Sequence, residues 1–458
     1  MWSVVEEHLD DAEFLFQRWE AALDAPDESL AQLAKGVEPR LLAHLDGLVH
    51  GGIPVVERLL FPALRESGVD GAFDEQARRC AAALAILRQP VPGTERLIAA
   101  ASEDLSPESA APLHRAMQLW DRPGSDRALW AASLRTQAGS WPAWLRTFAV
   151  RGQPADENMV NYCLRGEEPS VLAALSVVPD MAASVGGRVL DVLDYFFSND
   201  SAAVRVAALE SALQLGSARA WGLCREWFAS PGAPARIVDI IAMVGGASDH
   251  RQLVDSVAKG HVDEARVWAL GHSGRPRAAQ LCVALLTHEN ERIVRLAFEA
   301  FCAITGLSPE TAGVSVAERR PGTRDLADPY GEYATEERAK DEAADADPSL
   351  DPTVLQLPMP EVEAVVAWWE RARPHFDPSR RYLYGKMSTP EIMHAAYVYG
   401  SSRRRHLLGS ELRLRARSRV QPSTRAFGAR QLRQLRELRT LRSRAELRVD
   451  PQRGYLEI

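Results

Sequence analysis

The sequence predicts an all-α chain, an α-solenoid of short helical hairpins with an N-terminal helical cap and a small, mostly helical C-terminal module. Three observations carry this. The segment Ser201–Gly216, SAAVRVAALESALQLG, returns at Glu291–Gly306 as ERIVRLAFEAFCAITG, with Val204, Arg205, Ala207 and Gly216 matching Val294, Arg295, Ala297 and Gly306. Weaker echoes start near Pro169, in ARIVDIIAMVGG ending at Gly246, and at Glu264 in EARVWALGHSGR. Starts near 169, 201, 232, 262 and 291 give a period of about 30 residues, a solenoid spacing. The third observation is the scarcity of strand signals: period-two alternation shows clearly only in Glu411–Arg419, ELRLRARSR, and its leucines also suit a helix.

Residues 1–70 read as the helical cap. Val5, Leu9, Phe14, Leu15 and Trp19 recur at helical spacing, Asp27 is placed to cap a helix at Leu30, and RLLAHLDGLVH runs to Gly51-Gly52 before Pro54 opens the next turn. Residues 71–154 read as irregular helical repeats divided by prolines, with Trp120, Trp130, Trp141 and Trp144 as packing residues between helices. The clear repeats fill 155–308. In them the Val-Arg-x-Ala-Ala pattern uses alanine for close helix approach and Val or Leu as filling, and Arg205, Arg266 and Arg295 are given a structural role. Residues 309–357 read as an acidic linker or long loop, since Arg324–Pro352 holds ten acids against Arg324, Arg338 and Lys340. Residues 358–458 form the arginine-rich helical module: a helix over Pro358–Arg373, a helix start at Thr389-Pro390-Glu391, and a leucine and arginine repeat from Gln431 to Arg444.

The composition, 46% hydrophobic and 25% charged over 458 residues, is that of an ordinary globular chain. The N-terminus is acidic from Glu6 and has no basic-then-apolar signal pattern, and no run approaches the roughly 18 apolar residues of a membrane span, so the expected location is cytoplasmic with no membrane partner. Cys80, Cys163, Cys224, Cys282 and Cys302 are odd in number, scattered and free of CxxC pairing, which suits small apolar positions in successive helices. The net charge of −8 hides a strong asymmetry. From Ser401 onward sixteen arginines face five acids, a local balance of +11, which leaves about −19 for the first 400 residues. Such polarity favours contact between the two parts or an acidic partner for the tail.

No motif of chemistry stands out. Walker A, GxSxG and HExxH patterns are absent, and Gly51-Gly52, Gly186-Gly187 and Gly245-Gly246 read as turns between helices. His250, His261 and His272, spaced by eleven, do not make one ligand set. Asp191 and Asp194 read as a solvated face, and Asp200 as the cap of the helix that starts at Ser201. We therefore expect no catalytic, cofactor or metal site. The candidate binding residues are Arg403, Arg404, Arg405, Arg413, Arg415 and Arg417, which either contact a partner (phosphates included) or clamp the tail onto the acidic body.

EEHLDDAEFLFQRWEAAL and RLLAHLDGLVHGG at the N-terminus, the repeats, and AVVAWWERARPHFDPSRRYLYGKMSTPEIM near the C-terminus together resemble a bacterial family of HEAT-repeat proteins, mainly proteobacterial and with several copies in myxobacteria. The repeats are similar to the short phycobilin-lyase type, without implying that activity. The resemblance implies a HEAT-like solenoid and an association with type VI secretion or polymorphic-toxin loci, and it carries over no catalytic residue. The expected function is a non-enzymatic protein-interaction scaffold, an adaptor, chaperone or immunity factor for a secreted effector. Nucleic-acid binding through the arginine-rich region is the alternative.

Overall fold

Short polar side chains open the helices and left-handed glycines close many of them. Ser106, Asp156, Ser201, Ser217, Asp263 and Asn290 each accept a backbone N–H from the first turn that follows. Such caps are worth about 1 kcal/mol apiece. Two caps fall elsewhere than the sequence suggests. Ser29, not Asp27, caps Leu30–Leu33, and Ser201, not Asp200, caps Ala202–Gln214. In both cases the capping hydroxyl stands next to the first helical residue on extended backbone, where it reaches the free N–H groups.

The computed structural model describes residues 2–65, 72–181, 188–230, 232–311, 313–315, 351–443 and 449–457. It is all-α: among the described residues the sole ribbon is Tyr382–Leu383 paired antiparallel with Lys386–Met387. No described helix is long and apolar enough to cross a membrane. The acidic stretch over 324–350 and the doublet Gly186-Gly187 lie outside the described residues.

The chain forms two compact units: Met1–Ile237 with His394–Asp450 and Tyr455–Ile458, and Val238–Met393 with Pro451–Gly454. Residues 358–458, read from the sequence as one module, contribute to both. In the first unit Trp2–Ala22 packs on Val37–His50 and on Ala72–Arg88. From there a row of helices stacks neighbour on neighbour: Ala72–Arg88, Pro107–Leu119, Trp141–Arg151, Glu168–Val177 and Ala202–Gln214. Thr94–Glu103, Glu157–Cys163, Arg188–Phe196 and Ala218–Ala229 pack onto members of that row. The seam is buried and rich in alanine, as at Ala81–Ala83, Ala116, Ala173, Ala174, Ala208 and Ala212, so backbones approach closely while Leu113, Leu145, Leu175 and Leu209 fill the gaps. Trp144 stands between His114 and Phe148, and Trp130 meets Phe148, so these tryptophans pack between helices.

In the second unit Glu264–Ser273 lies along Glu291–Thr305, Pro276–Leu285 packs on both, and Ala247–Ala258 packs on Glu264–Ser273 and Pro276–Leu285. Val362–Ala372 packs on Pro276–Leu285, and the ribbon packs on Glu291–Thr305. All five cysteines are free and buried, and burial pushes the Cys163 and Cys224 thiols up to about 11 and about 12.

The matched blocks adopt the same local structure: capped helices with buried Val204 and Val294, ending at Gly216 (φ 88°) and Gly306 (φ 75°). Both glycines are also approached closely by later chain. A Cβ on Gly216 would strike the Arg417 guanidinium, and one on Gly306 would lie 2.6 Å from the Tyr384 carbonyl carbon. Gly232 has a similar φ of 77° with open space around it. Gly306→Ala is therefore expected to cost more than about 3 kcal/mol against about 1 kcal/mol for Gly232→Ala, the difference being backbone overlap on top of the left-handed penalty. Urea denaturation of the two variants checks this.

Candidate binding surface

An α-helix leaves its last four carbonyls without partners, and the aligned peptide dipoles make that end negative. Stacked helices gather several such ends, and in the first unit residues 394–443 and 455–457 meet them. The Ser423 hydroxyl donates to the Val150 carbonyl at 2.8 Å, Gln421 Nε2 to Ala149, and Arg430 to Arg151 at 2.8 Å, all at the end of Trp141–Arg151. Tyr455 donates its hydroxyl to Leu213 at 2.6 Å, at the end of Ala202–Gln214. Buried Arg151 serves the preceding helix in the same way, donating to Met117 and Trp120 at 2.8 and 2.6 Å.

Ion pairs and caps add to this. Ser402–Arg415 starts against the loop after the first helix, its Ser402 N–H donating to the Glu28 carbonyl at 2.6 Å. Arg425 and His406 both meet Asp24, at 2.7 and 3.0 Å, and they hold the Asp24 carboxyl down at about 2 against the opposing effect of burial. Arg433 pairs with Asp121. Glu38 is 5% exposed and takes the Gly428 N–H at 2.9 Å on both oxygens, with Trp19 Nε1 at 3.2 Å. It is thus the carboxylate at the N-terminus of Gly428–Ser443, contributed by a distant helix. Burial still holds its pKa above the usual range.

The six arginines singled out from sequence are placed inside this framework. Arg404, Arg405 and Arg415 are 3%, 0% and 0% exposed, and Arg403, Arg413 and Arg417 are half-buried. Arg403 donates its backbone N–H to Ala25, and Arg405 reaches the Thr424 carbonyl. Arg413 pairs with Asp180 at 3.1 Å, Arg415 with Glu411 at 2.8 Å and with the Asp450 carbonyl, and Arg417 lies over the Tyr455 ring and bonds its hydroxyl. Of these contacts, the Arg413–Asp180 pair and the Arg403 backbone bond reach the body, while those of Arg405, Arg415 and Arg417 stay within residues 401–458. The alternation in ELRLRARSR ends as helix up to Arg415, because the segment is buried on most sides and no half-exposed face exists for a strand to present. Among the described residues the exposed arginines from Ser401 onward are Arg419, Arg425, Arg433, Arg436, Arg439 and Arg453.

The second unit repeats the device with a residue the sequence reading passed over. Arg381, 3% exposed, donates to the carbonyls of Met243, His272, Ser273 and Pro451 at 3.1, 2.9, 3.1 and 2.7 Å. Tyr384 and Gly385 give their N–H groups to Ala303 and Ile304, at the end of Glu291–Thr305. The available signal was the block Arg381-Tyr382-Leu383-Tyr384-Gly385 itself, whose residues supply these donors. Arg205 bonds the Asn199 and Asp200 carbonyls and lies over Trp227, Arg266 pairs with Asp263, and Arg295 holds Glu291 and the Leu357 carbonyl. Each of the three arginines has at least one partner within six residues, and Arg295 also reaches 62 residues on to Leu357. Buried His250 bonds Ala242 and Arg275, while His261 is exposed, and among the described residues no group of three His, Cys, Asp or Glu is arranged to hold a metal ion. Asp194 pairs with Arg219 and Asp191 is exposed.

No protein-family model matches this sequence, and no curated protein is detectably similar to it.

Asp180 is the costly member of the framework. Its side chain is 6% exposed, and burial lifts its pKa to about 6 although Arg413 pulls the other way. Because the folded value exceeds the unfolded one, the native state binds a proton between about pH 6 and 3.8 that the unfolded chain lacks. Its contribution to stability therefore grows as pH falls through that window. Asp180→Asn is expected to be more stable than the parent at pH 7, by up to about 3 kcal/mol, with the difference gone near pH 4. Urea titrations at both pH values measure it.

Proposed function

We propose that this chain is a non-enzymatic interaction scaffold that works in the cytoplasm and holds a protein partner on the helices that flank the stacked row. The observation that carries the reading is a recurrence of large apolar side chains in solvent. Leu97 on Thr94–Glu103, Tyr162 on Glu157–Cys163 and Tyr195 on Arg188–Phe196 are 48%, 53% and 78% exposed, one from each of three flanking helices. Tyrosine in that position offers contact area at low entropy cost, the composition of binding surfaces. Buried Arg151, Arg430 and Glu38 are engaged in holding helix ends, which supports a structural rather than a chemical use of them. The HEAT-like pattern extends the proposal to an adaptor, chaperone or immunity factor for a secreted bacterial effector of the type VI or a related system.

Nucleic-acid binding is the second reading, favoured by Arg436 and Arg439, exposed three residues apart on Gly428–Ser443. Deleting residues 401–458 does not test it, since that segment braces the first unit. Substituting Arg436 and Arg439 by Gln does.

Affinity capture with the full chain is expected to retain a specific protein encoded beside it, and Tyr162→Ser with Tyr195→Ser is expected to reduce retention at least about ten-fold, the usual loss for two aromatic contacts. Retention of nothing above background overturns the scaffold reading. A salt titration on duplex DNA showing binding that Arg436→Gln with Arg439→Gln removes would favour the second reading instead.

A further inference from the structure

Within the first unit, Ser402–Arg415 and the segment after it enclose a cleft of about 210 Å³. His406, Ser410 and Arg413 stand along one helical face at spacings of four and three, and Thr424 and Arg425 come from the opposite wall. The guanidiniums are held from behind by carboxylates: Arg413 by Asp180 at 3.1 Å, and Arg425 by Asp24 at 2.7 Å. A third guanidinium, Arg236, is fixed by Glu210 and donates to the Ser410 oxygen at 3.1 Å. That bond uses a lone pair of the hydroxyl and leaves its proton for another acceptor. His406 Nε2 sits 3.0 Å from the Leu23 carbonyl, which can only accept, so Nε2 carries the proton and Nδ1 faces the Thr424 hydroxyl at 2.8 Å. The Arg413 and Arg425 guanidiniums and the Ser410 hydroxyl are thus the donors that line the cleft, held by their surroundings with little freedom left to lose on binding, while His406 Nδ1 and Gln421 Oε1 are acceptors on its wall.

We infer that this cleft binds a small tetrahedral oxyanion, inorganic phosphate or the phosphate of a small ester, through Arg413, Arg425 and the Ser410 hydroxyl. Guanidinium forks match phosphate oxygens two at a time, which makes arginine the residue for this ligand. The volume falls below the roughly 300 Å³ at which sites for larger organic ligands begin and suits an oxyanion with a few waters. This site is independent of the scaffold reading and requires no partner protein.

The test is isothermal titration of the full chain with sodium phosphate and with glycerol phosphate, at constant ionic strength in sodium chloride, together with thermal unfolding in the same solutions. Saturable phosphate binding is expected, with Arg425→Gln and Ser410→Ala each weakening it about ten-fold or more, the loss for one hydrogen bond to a charged group. The Arg425–Asp24 pair is a surface ion pair worth about 1 kcal/mol or less, and the Ser410 side chain bonds Arg236, so both variants should unfold within a few degrees of the parent without ligand. Tighter binding of glycerol phosphate than of phosphate assigns the site to an ester, and the reverse assigns it to the free ion. Absence of saturable heat, or binding that both variants retain at parental strength, overturns the inference.

Discussion

The unpaired carbonyls at the C-terminal ends of stacked helices are the constraint on which this structure depends. A helix of ten or fifteen residues leaves four acceptors open at that end, and a buried acceptor left alone costs about 1–3 kcal/mol. Stacking Trp141–Arg151 and Ala202–Gln214 in one row, and Glu264–Ser273 beside Glu291–Thr305 in the second unit, puts several such ends where water is excluded. The returning C-terminal chain solves the problem in both units with a small set of donors: Gln421, Ser423, Arg430 and Tyr455 in one, Arg381, Tyr384 and Gly385 in the other.

That geometry explains two features of composition together. Arginine suits the task because five fixed donors can serve several carbonyls at once, as Arg381 and Arg151 do, and because a cation belongs at the negative end of a helix. Glycine at 216 and 306 is the counterpart on the receiving side. It closes the helix in the left-handed conformation and lets a guanidinium or a backbone come in where a side chain would stand. A repeat that seems to record only hairpin stacking therefore also records where the return chain docks.

Much of this was legible in order of appearance. Helical periodicity, the repeated block and the sparse strand pattern identified an all-α stacked array, and the buried cysteines and packed tryptophans agree with their small or aromatic character in apolar helices. The role of the arginines was not legible. Arg405 and Arg436 sit in equally basic surroundings in the sequence, yet one is wholly buried and the other exposed. Burial depends on which distant helix covers a residue, and neither charge runs nor alternation encodes that. The same holds for Glu38, which looks like an ordinary first-turn acid of Val37–His50 and proves to cap a helix that begins 390 residues later.

The sequence alone determined the local terms: helix length and phase from apolar spacing, helix starts from short acceptors, helix ends from glycine, and a charge imbalance between body and tail. These depend on neighbours within a few residues or on simple sums. Tertiary structure decided which charges meet, which carbonyls find donors, how residues 358–458 divide between the two units, and which arginines remain in solvent. Those outcomes rest on contacts between residues hundreds of positions apart, where the free energy comes from desolvation and geometry that only the folded chain defines.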